Sequence, residues 1–166
     1  LLGAWLGARE DDAGADARGT AFRQALLETY LRRFYRMRAL HGLDPDFPPL
    51  VAIDHEGGRV HRLDTPFTHF PPSATVAAHG LDAVRAVATA MARELAATGI
   101  DLTFAPVLDV ASNPSNPIIG DRAFGSTPDI CATAALAAFR AIRAVGLATC
   151  GKHFPGYGPA ECDPHE

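Results

Sequence analysis

Cysteine is scarce in this 166-residue chain: there are three, an odd number. That is not a disulfide framework in a chain of this length, and reduced thiols in a cytosolic setting are the simpler reading. A basic excess is missing as well. Fifteen Lys and Arg stand against nineteen Asp and Glu, a formal net charge of −4, whereas a nucleic-acid binder usually carries a clear surplus of positive charge. No apolar run approaches the roughly 20 residues that span a bilayer, so neither nucleic acid nor membrane is expected as a partner. The apolar opening, Leu1 to Ala8, is short and has no basic flank, so it is not read as a secretion signal. An initiator Met is absent too. The chain opens at Leu1 and stops at Glu166, just after a segment dense in polar and special residues (152–165), and we expect a piece of a longer protein.

What is present is ordinary for a folded domain: 48% hydrophobic and 20% charged residues, consistent with one domain rather than disorder. Residues 1–19 are polar and aperiodic from Arg9 onward and read as a loop or a disordered lead-in; residues 20–166 read as the domain. Phe22, Leu26, Tyr30 and Phe34 predict a helix from Thr20 to about Leu40, whose C-terminal arginines suit the helix dipole.

An alternation follows. Pro49 to Ile53, Leu102 to Ala105 and Leu147 to Cys150 are short continuous apolar runs, which suit strands buried on both faces. Between them, Leu81–Thr98 reads as a helix with Val84, Val87, Met91 and Leu95 on one face and Gly99 as its stop. Pro128–Val145 reads as another, with Thr127 as N-cap, Pro128 at the first helical position and Gly146 at the end. The stretch from Asp54 to about Gly80 reads as a loop rich in Gly and Pro. Strand, long loop, helix and strand recur every 45 to 50 residues or so, which is α/β architecture with a parallel sheet. A complete (β/α)₈ barrel needs about 250 residues, so the expected fold is an incomplete TIM-type barrel, its N-terminal part only. A doubly wound sheet is the fallback, but the loop after Ile53 is too long and too rich in Pro and His for its tight first turn.

Polar residues gather where each apolar run ends, the rim on which barrel enzymes carry their chemistry. The first cluster is Asp54-His55-Glu56-Gly57-Gly58-Arg59-Val60-His61-Arg62, a strand-ending acid, a sharp Gly-Gly turn and two arginines. The second is Gly120-Asp121-Arg122-Ala123-Phe124-Gly125, behind a loop rich in Asn and Pro. The third is Gly151-Lys152-His153-Phe154-Pro155-Gly156-Tyr157-Gly158, followed by Asp163-Pro164-His165. Asp163 is close enough in sequence to orient the His165 imidazole and raise its basicity, which would make His165 a general acid/base near neutral pH. Taken singly, each cluster has a plain alternative: a surface turn, an ion pair that fixes a loop, or a polar strand exit. Cys150, Cys162, His153, Asp163 and His165 lack the spacing of a zinc motif. No signature marks either cysteine as a nucleophile, and no metal or cofactor is expected.

Together the clusters resemble glycoside hydrolase family 3, and most closely its bacterial β-N-acetylhexosaminidase branch. The resemblance rests on Ala52-Ile53-Asp54-His55-Glu56-Gly57-Gly58-Arg59-Val60, Phe104-Ala105-Pro106-Val107-Leu108-Asp109-Val110, Gly120 to Gly125 and Gly151 to Gly156, in this order, and spans Pro48 to His165. It implies a TIM-like barrel and a retaining hydrolase of terminal N-acetyl-β-hexosaminides, in peptidoglycan recycling and in the cytoplasm. Asp54 resembles the carboxylate that grips sugar hydroxyls. Arg62 and Arg122 resemble the arginines near that sugar, and Lys152 with His153 the pair that hydrogen-bonds its hydroxyls. His165 resembles the acid/base on a mobile loop, partnered by Asp163, while Asp109 matches a structural position. The family usually reads Lys-His-Phe-Pro-Gly-His-Gly and Asp-Ser-His; here Tyr157 replaces the second His and Pro164 the Ser. The family's nucleophile falls on a later strand, past Glu166, so this segment alone is expected to lack turnover. A sugar-binding or pseudo-enzymatic partial barrel, and a β-glucosidase of the same family, are the alternatives. Oligomeric state is left open.

Overall fold

The computed structural model of the chain describes residues 50–157, 160 and 161. The expected lead-in over 1–19, the Thr20–Leu40 helix, and Cys162, Asp163 and His165 lie outside the described residues. Three short strands, β1 (Ala52–Ile53), β2 (Leu102–Thr103) and β3 (Ala148–Thr149), form one parallel sheet in the order β1-β2-β3. Ala52 and Ile53 stand beside Leu102 and Thr103, which in turn stand beside Ala148 and Thr149. Main-chain bonds extend the ladder past the strands proper: Phe104 N–H donates to Ile53 O at 2.9 Å and Cys150 N–H to Thr103 O at 3.0 Å. Because all three strands run the same way, their C-terminal ends share one rim.

Helices α1 (Ser73–Ala78), α2 (Leu81–Ala97) and α3 (Pro128–Ala144) complete the described fold, with one 3₁₀ turn at Gly120–Arg122. The α2 face expected from periodicity is the buried one. Val84, Met91 and Leu95 are buried, with Ala88 and Ala92 between them, and Val87 packs at the margin. The facing side of α3 is built from small residues, Ala134, Ala135, Ala137 and Ala138, with Ile142. Small side chains let two helices approach closely, and α2 and α3 are in direct contact. Leu63, Phe70, Val76, Phe124 and Leu147 close the same core. Both long helices are followed by a glycine at positive φ, Gly99 at 81° and Gly146 at 93°, the left-handed stop expected from the sequence.

Three details differ from expectation. Within the stretch read as loop, Ser73–Ala78 forms α1; six residues are too few for a helical period to stand out, and Pro71-Pro72 masks the start. Thr127 occupies the N-cap of α3, but its side chain makes no capping bond. Main-chain Thr127 O accepts from Cys131 N–H instead, at 3.1 Å. Nor are the strands buried on both faces: Ala52 is exposed and Leu102 and Ala148 only half-buried, since α2 and α3 pack into one core and this row of side chains lies outside it.

Leu95, on the inward face of α2, is fully buried. Leu95→Ala should destabilise the fold by about 2–5 kcal/mol through lost burial and an unfilled cavity, read as a fall in the thermal midpoint. An unchanged midpoint would show that the α2 core does not hold the sheet.

Candidate functional site

The rim begins where β1 ends. Asp54 leaves the strand half-exposed, and His55 and Glu56 turn inward and are buried. The chain then reverses at Gly57 and Gly58, whose φ angles are 87° and 55°. A Cβ on Gly57 would stand 2.9 Å from Pro71 O, and one on Gly58 2.8 Å from Pro72 Cβ. Both backbone conformation and space therefore require glycine here. The turn closes with Glu56 N–H donating to Val60 O at 2.9 Å and Gly58 N–H to Phe70 O at 2.8 Å. The reversal sends Arg59 toward the second cluster. Its guanidinium donates to Pro117 O and Ile119 O at 3.1 Å each and to Ile118 O. Asn116 Oδ1 accepts from Ile118 and Ile119 N–H at 2.8 and 3.0 Å. Between them these two side chains satisfy the main chain of a loop that has no sheet to pair with, and that loop delivers Arg122.

Arg122 meets Glu56 in a fork: Nε donates to Oε2 and Nη2 to Oε1, each at 2.9 Å, while Nη1 donates to Ile118 O at 3.1 Å. Lys152, arriving past the end of β3, bonds the same Glu56 Oε1 at 2.5 Å and also Asp54 Oδ1. The Glu56 side chain is only 3% exposed, against 48% for Asp54. That contrast ranks the contacts. An exposed ion pair is worth about 0–1 kcal/mol, whereas removing one partner of a buried, hydrogen-bonded pair costs about 3–5 kcal/mol. Burial pushes the Glu56 carboxyl up, but the hydrogen bonds and charges of Arg122 and Lys152 outweigh it and hold the group below the usual glutamate range. The Glu56 bond in turn raises the Arg122 guanidinium further, against a smaller effect of burial.

A second buried carboxylate orders the next side chain. Asp109 follows β2 and has a fully buried side chain. Its Oδ2 lies 2.6 Å from His153 Nδ1 and accepts the His153 main-chain N–H at 3.0 Å; Oδ1 accepts Tyr157 N–H at 2.6 Å. Burial pushes Asp109 up, yet the Tyr157 and His153 bonds prevail and hold it below the usual aspartate range. An ionised carboxylate only accepts, so His153 Nδ1 carries the proton and Nε2 is left for other contacts. Tyr157, in place of the family's second His, sets its ring edge-on to His153 at 4.5 Å.

The structure thus joins Asp54, Arg122 and Lys152 in one network, with His153 next along the chain. Arg62 is exposed, and its guanidinium makes no hydrogen bond to the other described residues; only its main-chain N–H is engaged, donating to His55 Nδ1 at 3.2 Å. Glu56, Asp109, Arg59 and Asn116 were not singled out as site residues from sequence. Glu56 carried a signal, two places after the strand-ending Asp54; Arg59 and Asp109 are loop anchors whose partners lie 44 to 60 residues away, whereas Asn116 takes main-chain N–H groups two and three residues on. No group of three His, Cys, Asp or Glu able to hold a metal occurs among the described residues, and none of their helices is long and apolar enough to cross a membrane. Cys131 is buried with its thiol pushed up by that burial, the setting of an inert cysteine.

His55 sits under the rim, 2% exposed, with the His61 ring tilted against it at 4.3 Å and His69 stacked on His61 at 4.2 Å. Burial first, then the charges of His61, Arg62 and His69, pull His55 down from 6.5 to about 4. The unfolded chain therefore takes up this proton more readily than the folded one between those two values. Stability from a neutral His55 is complete above pH 6.5 and is lost as the pH falls toward 4. His55→Asn keeps an acceptor near Arg62 N–H but cannot titrate. Thermal midpoints measured from pH 7 to 5 should fall more steeply for the wild type than for this variant; parallel curves would remove His55 from the account.

The chain matches the glycosyl hydrolase family 3 N-terminal domain over residues 25–166. It is 47% identical over 130 residues to a beta-hexosaminidase of Methylococcus capsulatus, covering 76% of this chain and 38% of that protein. Among solved structures it is similar to a family 3 beta-N-acetylglucosaminidase from a Paenibacillus species, with a TM-score of 0.68 and 39% identity over 72% of this chain and 23% of that one. It is also similar to NagZ from Neisseria gonorrhoeae in complex with N-trifluoroacetyl-D-glucosamine: TM-score 0.65, 38% identity, 71% of this chain and 37% of that one. The chain spans a little over a third of the length of the curated relatives it matches.

Proposed function

The chain belongs to glycosyl hydrolase family 3, and from that premise we propose that it is part of a retaining exo-β-N-acetylglucosaminidase. The observation that carries this reading is the single rim network of Asp54, Lys152, Arg122 and Glu56. A pyranose presents several hydroxyls, each both donor and acceptor, and a mixed set of cations and a half-exposed carboxylate complements them. In this reading Asp54 accepts from the sugar, Lys152, Arg122 and the ring of His153 hold neighbouring hydroxyls, and exposed Arg62 reaches the same sugar. Fixing the ring in this way lowers the entropy cost of attack at the anomeric carbon.

A retaining reaction needs one carboxylate to attack and an acid/base to assist departure and then activate water. Asp54, Glu56 and Asp109 are each engaged by cations or N–H groups, so none of them is assigned the attack. We assign it to a residue past Glu166, and the acid/base role to His165 with Asp163 as its partner. The sheet edge at β3, which has β2 as its one neighbour among the described residues, and the exposed Leu136 and Phe139 on α3 support an unfinished (β/α)₈ barrel, completed by further βα units. The names of the relatives favour N-acetylhexosaminides over glucosides. Cell-wall fragments handled in the cytoplasm are the natural substrate in this account.

The test is a side-by-side assay of the protein expressed from its complete gene on the p-nitrophenyl N-acetyl-β-glucosaminide and β-glucoside. The expected result is turnover of the first well above the second, and none by the 166-residue chain alone. Preference for the glucoside would reassign the substrate, binding without turnover by the complete protein would favour a pseudo-enzyme, and turnover by the short chain would place the nucleophile within it.

A further inference from the structure

Glu56 has no assigned contact with a sugar, yet it touches two residues that do. Lys152 has three N–H donors, of which Asp54 and Glu56 each take one. Arg122 has five, of which Glu56 takes two and Ile118 O one. One N–H of Lys152 and two of Arg122 are therefore not taken by these partners, and the Glu56 carboxylate decides which ones they are. It also sets the charge balance. Two cations meet two carboxylates, Asp54 and Glu56; Lys152 bonds both, so without the Glu56 charge Asp54 is the one carboxylate of this network left to it. Asp54 would then be saturated by its neighbours rather than available to a hydroxyl.

The geometry points to Glu56 as a positioning residue that aims the remaining N–H groups of Lys152 and Arg122 and keeps Asp54 open as an acceptor. This rests on the reading of the rim as a hydroxyl-binding surface. Glu56 acts through its partners: its oxygens are buried and occupied, so its effect on the sugar is indirect. The side-chain length matters as well. An aspartate keeps the charge but is one methylene short, so it cannot keep the Arg122 fork and the Lys152 contact together.

The test uses the protein from its complete gene, with the N-acetyl-β-glucosaminide substrate and its monodeoxy analogues, each lacking one ring hydroxyl. In the wild type, removing a hydroxyl held by this network should lower kcat/KM. Glu56→Gln should lower kcat/KM on the parent substrate by about 100-fold and shrink the deoxy penalties toward unity, because the groups that read those hydroxyls are no longer aimed. Glu56→Asp should fall between the two on both measures, and it provides the same comparison if the glutamine variant does not fold. A merely structural role would lower activity on all substrates by one common factor. Deoxy penalties unchanged from the wild type in these variants, or kcat/KM within about threefold of it, would overturn the inference while leaving the hexosaminidase reading intact. A wild type without turnover would bring down that reading, and this inference with it; turnover with no deoxy penalty would overturn the inference alone.

Discussion

A carboxylate removed from water must either find positive charge or give up its own. Glu56 is so placed, nearly fully buried behind the Gly-Gly turn, and it finds two cations from distant parts of the chain. Arg122 comes from the loop after β2 and Lys152 from the end of β3. One side chain therefore fastens the exits of three parallel strands to each other. Parallel strands bring their ends to one rim, but only a shared partner brings the side chains on those ends into one network. The half-exposed contact with Asp54 is secondary: exposed pairs contribute little to stability, and its interest lies in what Asp54 can still accept.

The same arrangement recurs one strand over. Asp109 is buried and takes bonds from His153 and Tyr157, so the third strand exit is tied to the second as well as to the first. Around these two anchors the irregular chain is supplied with partners. Arg59 caps the carbonyls of residues 117–119, and Asn116 takes the N–H groups of Ile118 and Ile119. The rim is thus built from buried acids that orient cations and an imidazole, on loops held by side chains rather than by sheet. A polar surface organised this way suits a ligand that is neutral, hydroxylated and larger than any one side chain can hold.

Much of this was legible before the structure. The buried face of α2 follows from apolar spacing that a helical period makes regular, and the glycines that end both helices stand where a left-handed stop belongs. The strand ends could be placed because each apolar run breaks abruptly into charge. The association of Asp54, Arg122 and Lys152 followed from family resemblance and parallel topology together. The short helix Ser73–Ala78 and the half-exposed strands were not legible, because one is too brief to show a period and the other depends on which layers cover the sheet. The hidden acids were the larger omission. Glu56 and Asp109 look like any polar residue at a strand exit, and burial, which gives them their force, is a property of the packed molecule.

Whether one hexose ring is gripped jointly by Asp54, Lys152 and Arg122 is decided by a crystal structure of this protein with N-acetylglucosamine. Ring hydroxyl oxygens should lie within hydrogen-bond distance of all three side chains, with Glu56 still behind them and out of contact with the sugar. A sugar seated elsewhere, with the three side chains untouched, would contradict it.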